Sequence, residues 1–374
     1  MVIATHPWLV LRALRIAVGT VMGVAIVGAA LPRPSWSQSS GAQTYRLISM
    51  GSAGASSIND SGVVTGTRQV SGVFTAYRYS AGVFTNLKPP KGFLGDAYGY
   101  KTNLAGQTVG FGNTNGGSAR GVLWQPGSTS GIEIKPVERD IHAMAFSINA
   151  RGDLVGISQD RNSTKHATLW RATAPNGGLF SPVRLAVNAG SSADDINDYG
   201  QIILTGQANG LWSPSVPNGT TGTVLPLGFT PRKISVTGHV CGYVPSTGGV
   251  ASVAAVWIPD SPNSPVGNST VIGALVPGYS SYAHLVNGNG DVVGWSSLVP
   301  GAPNIYQRTA FLYSGGILKD MNSAADFLYV DAAGNGLSGW NLSEAAAINN
   351  AGQIVAYAFD PSGVRQAVLL TPAP

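Results

Sequence analysis

Short apolar runs separated by small polar turns fill the chain from residue 44 onward, and one arrangement of them recurs. A small residue precedes the pattern Ile-Asn-x-x-Gly, and an apolar run usually ending in Gly follows it. The leading pairs are Ile58-Asn59, Thr102-Asn103, Ile148-Asn149, Ile196-Asn197, Ile234-Ser235, Val286-Asn287 and Ile348-Asn349. The turn Gly falls at 62, 106, 152, 200, 238, 290 and 352, so the intervals are 44, 46, 48, 38, 52 and 62 residues. Internal periods of this size belong to propeller blades. Each copy is followed by a second landmark, a small residue three positions before a large apolar one, as in Ala76 to Tyr79, Gly121 to Trp124 and Ala167 to Trp170.

Each unit offers four short strands. In the first they are Gly54 to Ile58, Gly62 to Gly66, Thr75 to Tyr79 and Val83 to Leu87. Short β-rich runs bounded by Gly, Asn and Ser read as antiparallel hairpins. The Asn side chain can bond the backbone two residues on, and the Gly can supply a positive φ. The pattern predicts an all-β fold, a β-propeller of seven four-stranded blades. The seventh copy runs out after its third strand, at Ala367 to Leu370. A spare N-terminal strand, Thr44 to Ile48, is available to complete it. An open solenoid or two half-units would leave sheet edges unprotected, which closure avoids.

The first residues belong to a different kind of segment. Arg12 and Arg15 precede an apolar run from Ile16 to Ala30, which is short for a membrane span. Ser35 and Ser37 follow. This is the layout of a secretory signal peptide over 1–37, cut before Gln38 or nearer Ala30. An uncleaved anchor is the competing reading. A single propeller domain would then occupy 38–374, in an extracellular or periplasmic setting, with no membrane span after cleavage.

The repeat resembles that of the HAF-repeat family of predicted extracellular proteins. That repeat looks like A-x-x-I-N-x-x-G-x-V-V-G, followed by a strand often opening His-Ala-Phe. The triplet survives as His166-Ala167-Thr168, Thr309-Ala310-Phe311 and Gln366-Ala367-Val368. The similarity is strongest from Gly339 to the end and loosest in the fifth unit. It implies a repeat scaffold and no particular chemistry, because the repeated residues belong to turns and core.

Composition changes one inference. The 22 basic and 17 acidic residues give a net +5, which by itself suggests an acidic partner such as nucleic acid. Arg12, Arg15 and Arg33 lie in the predicted leader, so 19 basic residues face 17 acidic ones in the remainder. The nucleic-acid reading leaves with that segment. The lone Cys241 excludes an intrachain disulfide and a cysteine zinc site, and its apolar strand argues for burial.

Catalytic signatures are sparse. There is no HExxH pair, no Gly-x-Ser-x-Gly elbow and no phosphate-binding loop in a strand-to-helix setting. Glu138, Asp140 and His142, with Arg139 among them, form the densest ionisable cluster and the candidate for a hydrolase or lyase site at the channel mouth. A solvated charged loop is the simpler reading. Asp194 and Asp195 could line the channel. Asp60, Asp153, Asp198 and Asp291 fall in or beside the repeated turn. Asn287, Asn289 and Asp291 space oxygens as a calcium loop does, without its distal Glu. No cofactor is expected beyond that calcium.

Aromatic residues point to binding instead. Trp124, Trp170, Trp212 and Trp257 share one repeat position, which suits packing between blades. Trp295, Trp340, Tyr282 and His284 have no such explanation and fall near the rim shared by second-strand loops and blade connections. The expected protein is a non-catalytic binding module for a protein or carbohydrate. A channel-mouth enzyme and a cell-surface scaffold are the alternatives.

Overall fold

The computed structural model describes residues 41–247, 251–301 and 303–373. The predicted leader over 1–37, its cut sites and the anchor alternative lie outside them. Seven sheets form, six of four consecutive antiparallel strands and one of five, arranged as a seven-bladed β-propeller. A three-residue 3-10 turn, Ile305–Gln307, is the only helical element among the described residues. None of the described helices is long and apolar enough to cross a membrane.

Blade one consists of Gly54–Ile58, Val64–Val70, Val73–Ser80 and Val83–Leu87. Its inner and outer strands match expectation. The second strand does not end at Gly66 but runs on through it, and the third is correspondingly longer. The two pair beyond Gly66 from Thr67 with Ala76 to Val70 with Val73, and a β-bulge lies opposite Gly66. Ala55 pairs with Gly66, Ser57 with Thr65 and Ile58 with Val64, so Ser56 is the extra residue. The same register shift recurs in the first strand of every blade, skipping Tyr100, Phe146, Asp194, Arg232, His284 and Ala346. A bulge lets residues three apart face the same way, where a regular strand would oppose them. That explains why a small residue stands three positions before each Ile or its replacement. It also explains the second glycine. A Cβ on Gly66, Gly110, Gly156 or Gly294 would lie within 2 Å of a carbonyl oxygen on the bulged strand.

The seven turn glycines all carry positive φ, from 75° at Gly62 to 90° at Gly152. Each donates its N–H to the carbonyl of the motif Asn, or of Ser235 in blade five. The Asn Oδ1 accepts backbone N–H groups within the turn, as Asn59 does from Ser61 and Val63. Its Nδ2 has a second role that the sequence did not reveal. Asn59 donates to the Asn103 carbonyl, Asn103 to Asn149, Asn149 to Asn197 and Asn197 to Ser235. Asn287 donates to Asn349, and Asn349 to Asn59. In blade five, Ser235 lacks the amide, and Thr237 Oγ1 donates 2.8 Å to the Gly288 carbonyl instead. A ring of hydrogen bonds thus passes through all seven blades on one end of the propeller.

Between blades, the recurring tryptophans do the packing. Trp124, Trp170, Trp212 and Trp257 are each buried in an apolar cluster with the preceding blade. The indole N–H of Trp170 donates to the Lys135 carbonyl at 2.9 Å, and that of Trp124 to Lys88 at 2.7 Å.

Blade seven closes the circle. Asn341–Ile348, Ile354–Phe359 and Arg365–Pro372 are followed in the sheet by the N-terminal strand Gln43–Ser49. Leu47 pairs with Leu370 and Arg46 with Thr371 in antiparallel register. The long insert before this blade contributes a strand of its own, Phe327–Val330. It pairs in parallel with Gln43–Arg46 and covers the outer edge. Buried Tyr45 and Phe327 pack with ring centroids 6.2 Å apart.

Candidate functional site

The bulges and the residues beside them decide what faces the axis and the rim opposite the asparagine turns. Pairing of first and second strands sets Tyr282 across from Trp295 in blade six, with their rings nearly parallel, 7° apart, at 6.1 Å. Tyr243 of blade five stacks on Tyr282 at 4.6 Å. The Arg308 guanidinium lies 4.1 Å over the Trp295 ring, and that of Arg232 lies 5.2 Å over Tyr282. Cation–π contacts of this kind hold an arginine in place while leaving its charge available.

Glu344 of blade seven enters the same cluster. Its Oε1 stands 3.0 Å from His284 Nε2, and its Oε2 stands 3.7 Å from Arg308 Nη1. Burial pushes the Glu344 carboxyl up, but the His284 hydrogen bond and the charges of His284, Arg308 and Arg365 outweigh it and hold the pKa below the usual value. Arg365 lies 4.1 Å over Tyr357, which itself holds the Ala55 amide through its hydroxyl. His284, Arg308 and Arg365 therefore share one carboxylate in blades six and seven, and Arg232 of blade five lies over Tyr282 of the same cluster. A second aromatic ladder, with Phe74, Tyr98, Phe111, Tyr100 and Phe146, crosses blades one to three with no cation over its rings.

The structure brings together three of the four aromatic candidates, Tyr282, His284 and Trp295. Trp340 instead packs half-buried against the core cluster that contains Tyr45 and Leu342. Tyr243, Arg308 and Glu344 went unnoticed in the sequence. A signal for Tyr243 existed: it follows the closing Gly242 just as Trp295 follows Gly294, and Phe111 and Tyr357 occupy the same place. Arg308 and Glu344 carried no such signal, since only the fold brings their strands together.

The ionisable cluster between blades two and three does not converge. Glu138 is exposed. Asp140 is buried, pairing with Arg184 and accepting the Ser158 hydroxyl at 2.6 Å. His142 Nδ1 accepts the Ala119 amide at 3.1 Å. No hydrogen bond or ion pair joins the three among the described residues, and each of the bonded two has a structural partner.

Asn287, Asn289 and Asp291 likewise spend their polar groups locally. Asn287 Oδ1 accepts the amides of Asn289 and Asp291, and Asn289 Nδ2 donates to the Asn350 carbonyl. The Asp291 carboxylate takes Asn287 Nδ2 and the Ser314 hydroxyl. Among the described residues no three His, Cys, Asp or Glu side chains gather as metal ligands. Cys241 is buried, and burial pushes its thiol up to about 12.

Asp195 lines the channel as its position suggested. Its carboxylate accepts from Lys101 Nζ at 2.8 Å, from the Ser147 hydroxyl at 2.5 Å and from the Ile234 amide at 3.0 Å. Burial opposes its charge, but Lys101 and Lys233 with these hydrogen bonds hold its pKa at about 2. A carboxyl depressed on folding adds stability above its unfolded pKa and loses it as pH falls through the folded one. Relative to an unfolded value of about 3.9, the contribution is about 2–3 kcal/mol. We expect stability to fall between pH 4 and pH 2 partly through this group. Asp195→Asn should flatten that part of the acid unfolding profile followed by circular dichroism. An unchanged slope would refute the assignment.

No protein-family model and no curated protein matches this sequence.

Proposed function

We propose that the protein is a secreted or periplasmic binding module of the HAF-repeat type, and that the rim of blades five to seven holds an acidic segment of a protein partner. The observation that carries this is the set of Arg232, Arg308 and Arg365, each over an aromatic ring, with Glu344 paired to Arg308. Tryptophan, tyrosine and arginine are the residues that dominate protein interfaces. A carbohydrate usually needs an open ring face, and here Arg308 covers one face of Trp295 while Tyr243 stacks on Tyr282. That favours a protein ligand over a glycan. Catalysis finds no support in Glu138, Asp140 and His142, whose partners are structural or solvent.

Selection from a random peptide library on the intact protein tests the reading. Enriched peptides should be rich in Asp and Glu, and their binding should weaken as salt rises. Trp295→Ala or Arg308→Ala should weaken binding by about tenfold or more, the size of a hot-spot loss. Peptides without acidic residues, or equal binding by both variants, would contradict it. A glycan array with hits abolished by Trp295→Ala would favour the carbohydrate ligand.

A further inference from the structure

On the axis, behind the asparagine turns, the first strands of the blades line a half-open cavity of about 170 Å3. Its wall is uneven. The residue after the bulge lines the cavity in five blades, as Ser57, Lys101, Asp195, Lys233 and Leu285. At this level blades one, two, four and five supply polar side chains, and blade six supplies the apolar Leu285. Lys101 is already engaged, with Asp195, Ser147 and the Ile196 carbonyl.

Lys233 and Ser57 are among the polar groups of the wall that are not engaged. Lys233 lines the cavity, and no hydrogen bond or ion pair ends on its ammonium among the described residues. Ser57 also lines it, 6% exposed, and its buried hydroxyl has no partner. A buried hydroxyl left without a hydrogen bond is costly, so a partner from outside the chain is favoured there. Two lysines face one buried aspartate at this level, which leaves a net positive charge in the cavity wall. Asp60 and Asp198 stand at the mouth, each accepting a backbone amide from the neighbouring blade, Asn350 and Ala150. Their charges disfavour a dianion and leave a monoanion as the better fit.

We propose that this axial cavity binds a small organic monoanion, a carboxylate of benzoate size or smaller, with its charge on Lys233, a hydrogen bond from Ser57 and its apolar part toward Leu285. The size follows from the volume, since a protein cavity of about 150 Å3 has room for benzene. The site is separate from the rim of blades five to seven and does not depend on the ligand proposed there.

Benzoate titrated into the intact protein at pH 7, followed by NMR shifts or calorimetry, is the test. Binding with a dissociation constant of about 1 mM or tighter is expected. Benzamide, the neutral analogue of the same shape, should bind at least about tenfold more weakly, as should benzoate to Lys233→Met. Ser57→Ala should weaken benzoate by a smaller factor. The benzoate and benzamide comparison needs only the unaltered chain, so it stands even if a variant misfolds. No saturable benzoate binding, equal affinity for benzamide, or undiminished benzoate binding by folded Lys233→Met would overturn the proposal.

Discussion

A chain lacking residues 43–49 is expected not to fold cooperatively. The strand they form carries Tyr45 and Leu47 into the core shared by blades six and seven. Each buried side chain of this size contributes about 1.5–3 kcal/mol. Losing both, together with the backbone ladder to Arg365–Pro372, costs about 5 kcal/mol or more, comparable with the whole stability of many domains. The remaining chain would also expose the edge of Arg365–Pro372 and leave Phe327–Val330 without its partner. We expect a broad, low-temperature unfolding transition and a tendency to associate through that edge. A synthetic peptide of residues 41–51 should restore a sharp transition. A truncated chain that melts as sharply and as high as the full one would show that closure contributes little.

The second large effect is expected at Trp170. Its indole is 1% exposed and packs against Val109 and Leu123 of blade two. Trp170→Ala removes that packing and the hydrogen bond to the Lys135 carbonyl. Truncations of this kind cost about 3–5 kcal/mol. Denaturant unfolding should register the loss as a lower midpoint with a similar slope. Trp170→Phe should recover much of it, because most of the buried area returns. A loss below about 1 kcal/mol for the alanine variant would contradict a packing role, since that is the range of surface changes.

Much of the architecture was legible because a propeller repeats its local rules. The turn glycines at 62, 106, 152, 200, 238, 290 and 352 counted the blades. The spare apolar strand near Tyr45 supplied the missing one, and the shared position of four tryptophans identified blade-to-blade packing. What stayed hidden depends on pairing between distant residues. The bulge was written into the spacing of Ala55 and Ile58, yet it becomes visible only when Gly66 is seen opposite Ala55. Asn59 looked like a turn residue, and it is one, but its amide also reaches the next blade. The strand Phe327–Val330 in the insert before blade seven had no repeat to announce it, because its partner lies almost three hundred residues earlier.

The candidate site divides in the same way. Tyr282, His284 and Trp295 stood out as aromatic or ionisable residues that the repeat did not account for, and the fold gathers them. Arg308 and Glu344 were ordinary charged residues until adjacent blades placed them around Trp295. The cluster of Glu138, Asp140 and His142 showed the opposite. Neighbours in sequence there reach separate partners, because Glu138 and Arg139 lie in a turn, with Arg139 at a φ of 74°, and the strand begins only at His142.

The measurement that bears most directly on the closed ring is a cross-link between its two ends. Arg46 and Thr371 are paired on the solvent side of blade seven. Arg46→Cys with Thr371→Cys, in a chain also carrying Cys241→Ala, places two thiols on directly opposed residues. Such pairs lie about 4.5–5.5 Å apart between Cα atoms, within reach of a disulfide. The closed seven-bladed propeller predicts rapid, near-complete cross-linking of the monomer under mild oxidation, with a higher melting temperature afterwards. Absence of an intrachain disulfide in the folded protein, or one that forms only between two chains, would contradict it.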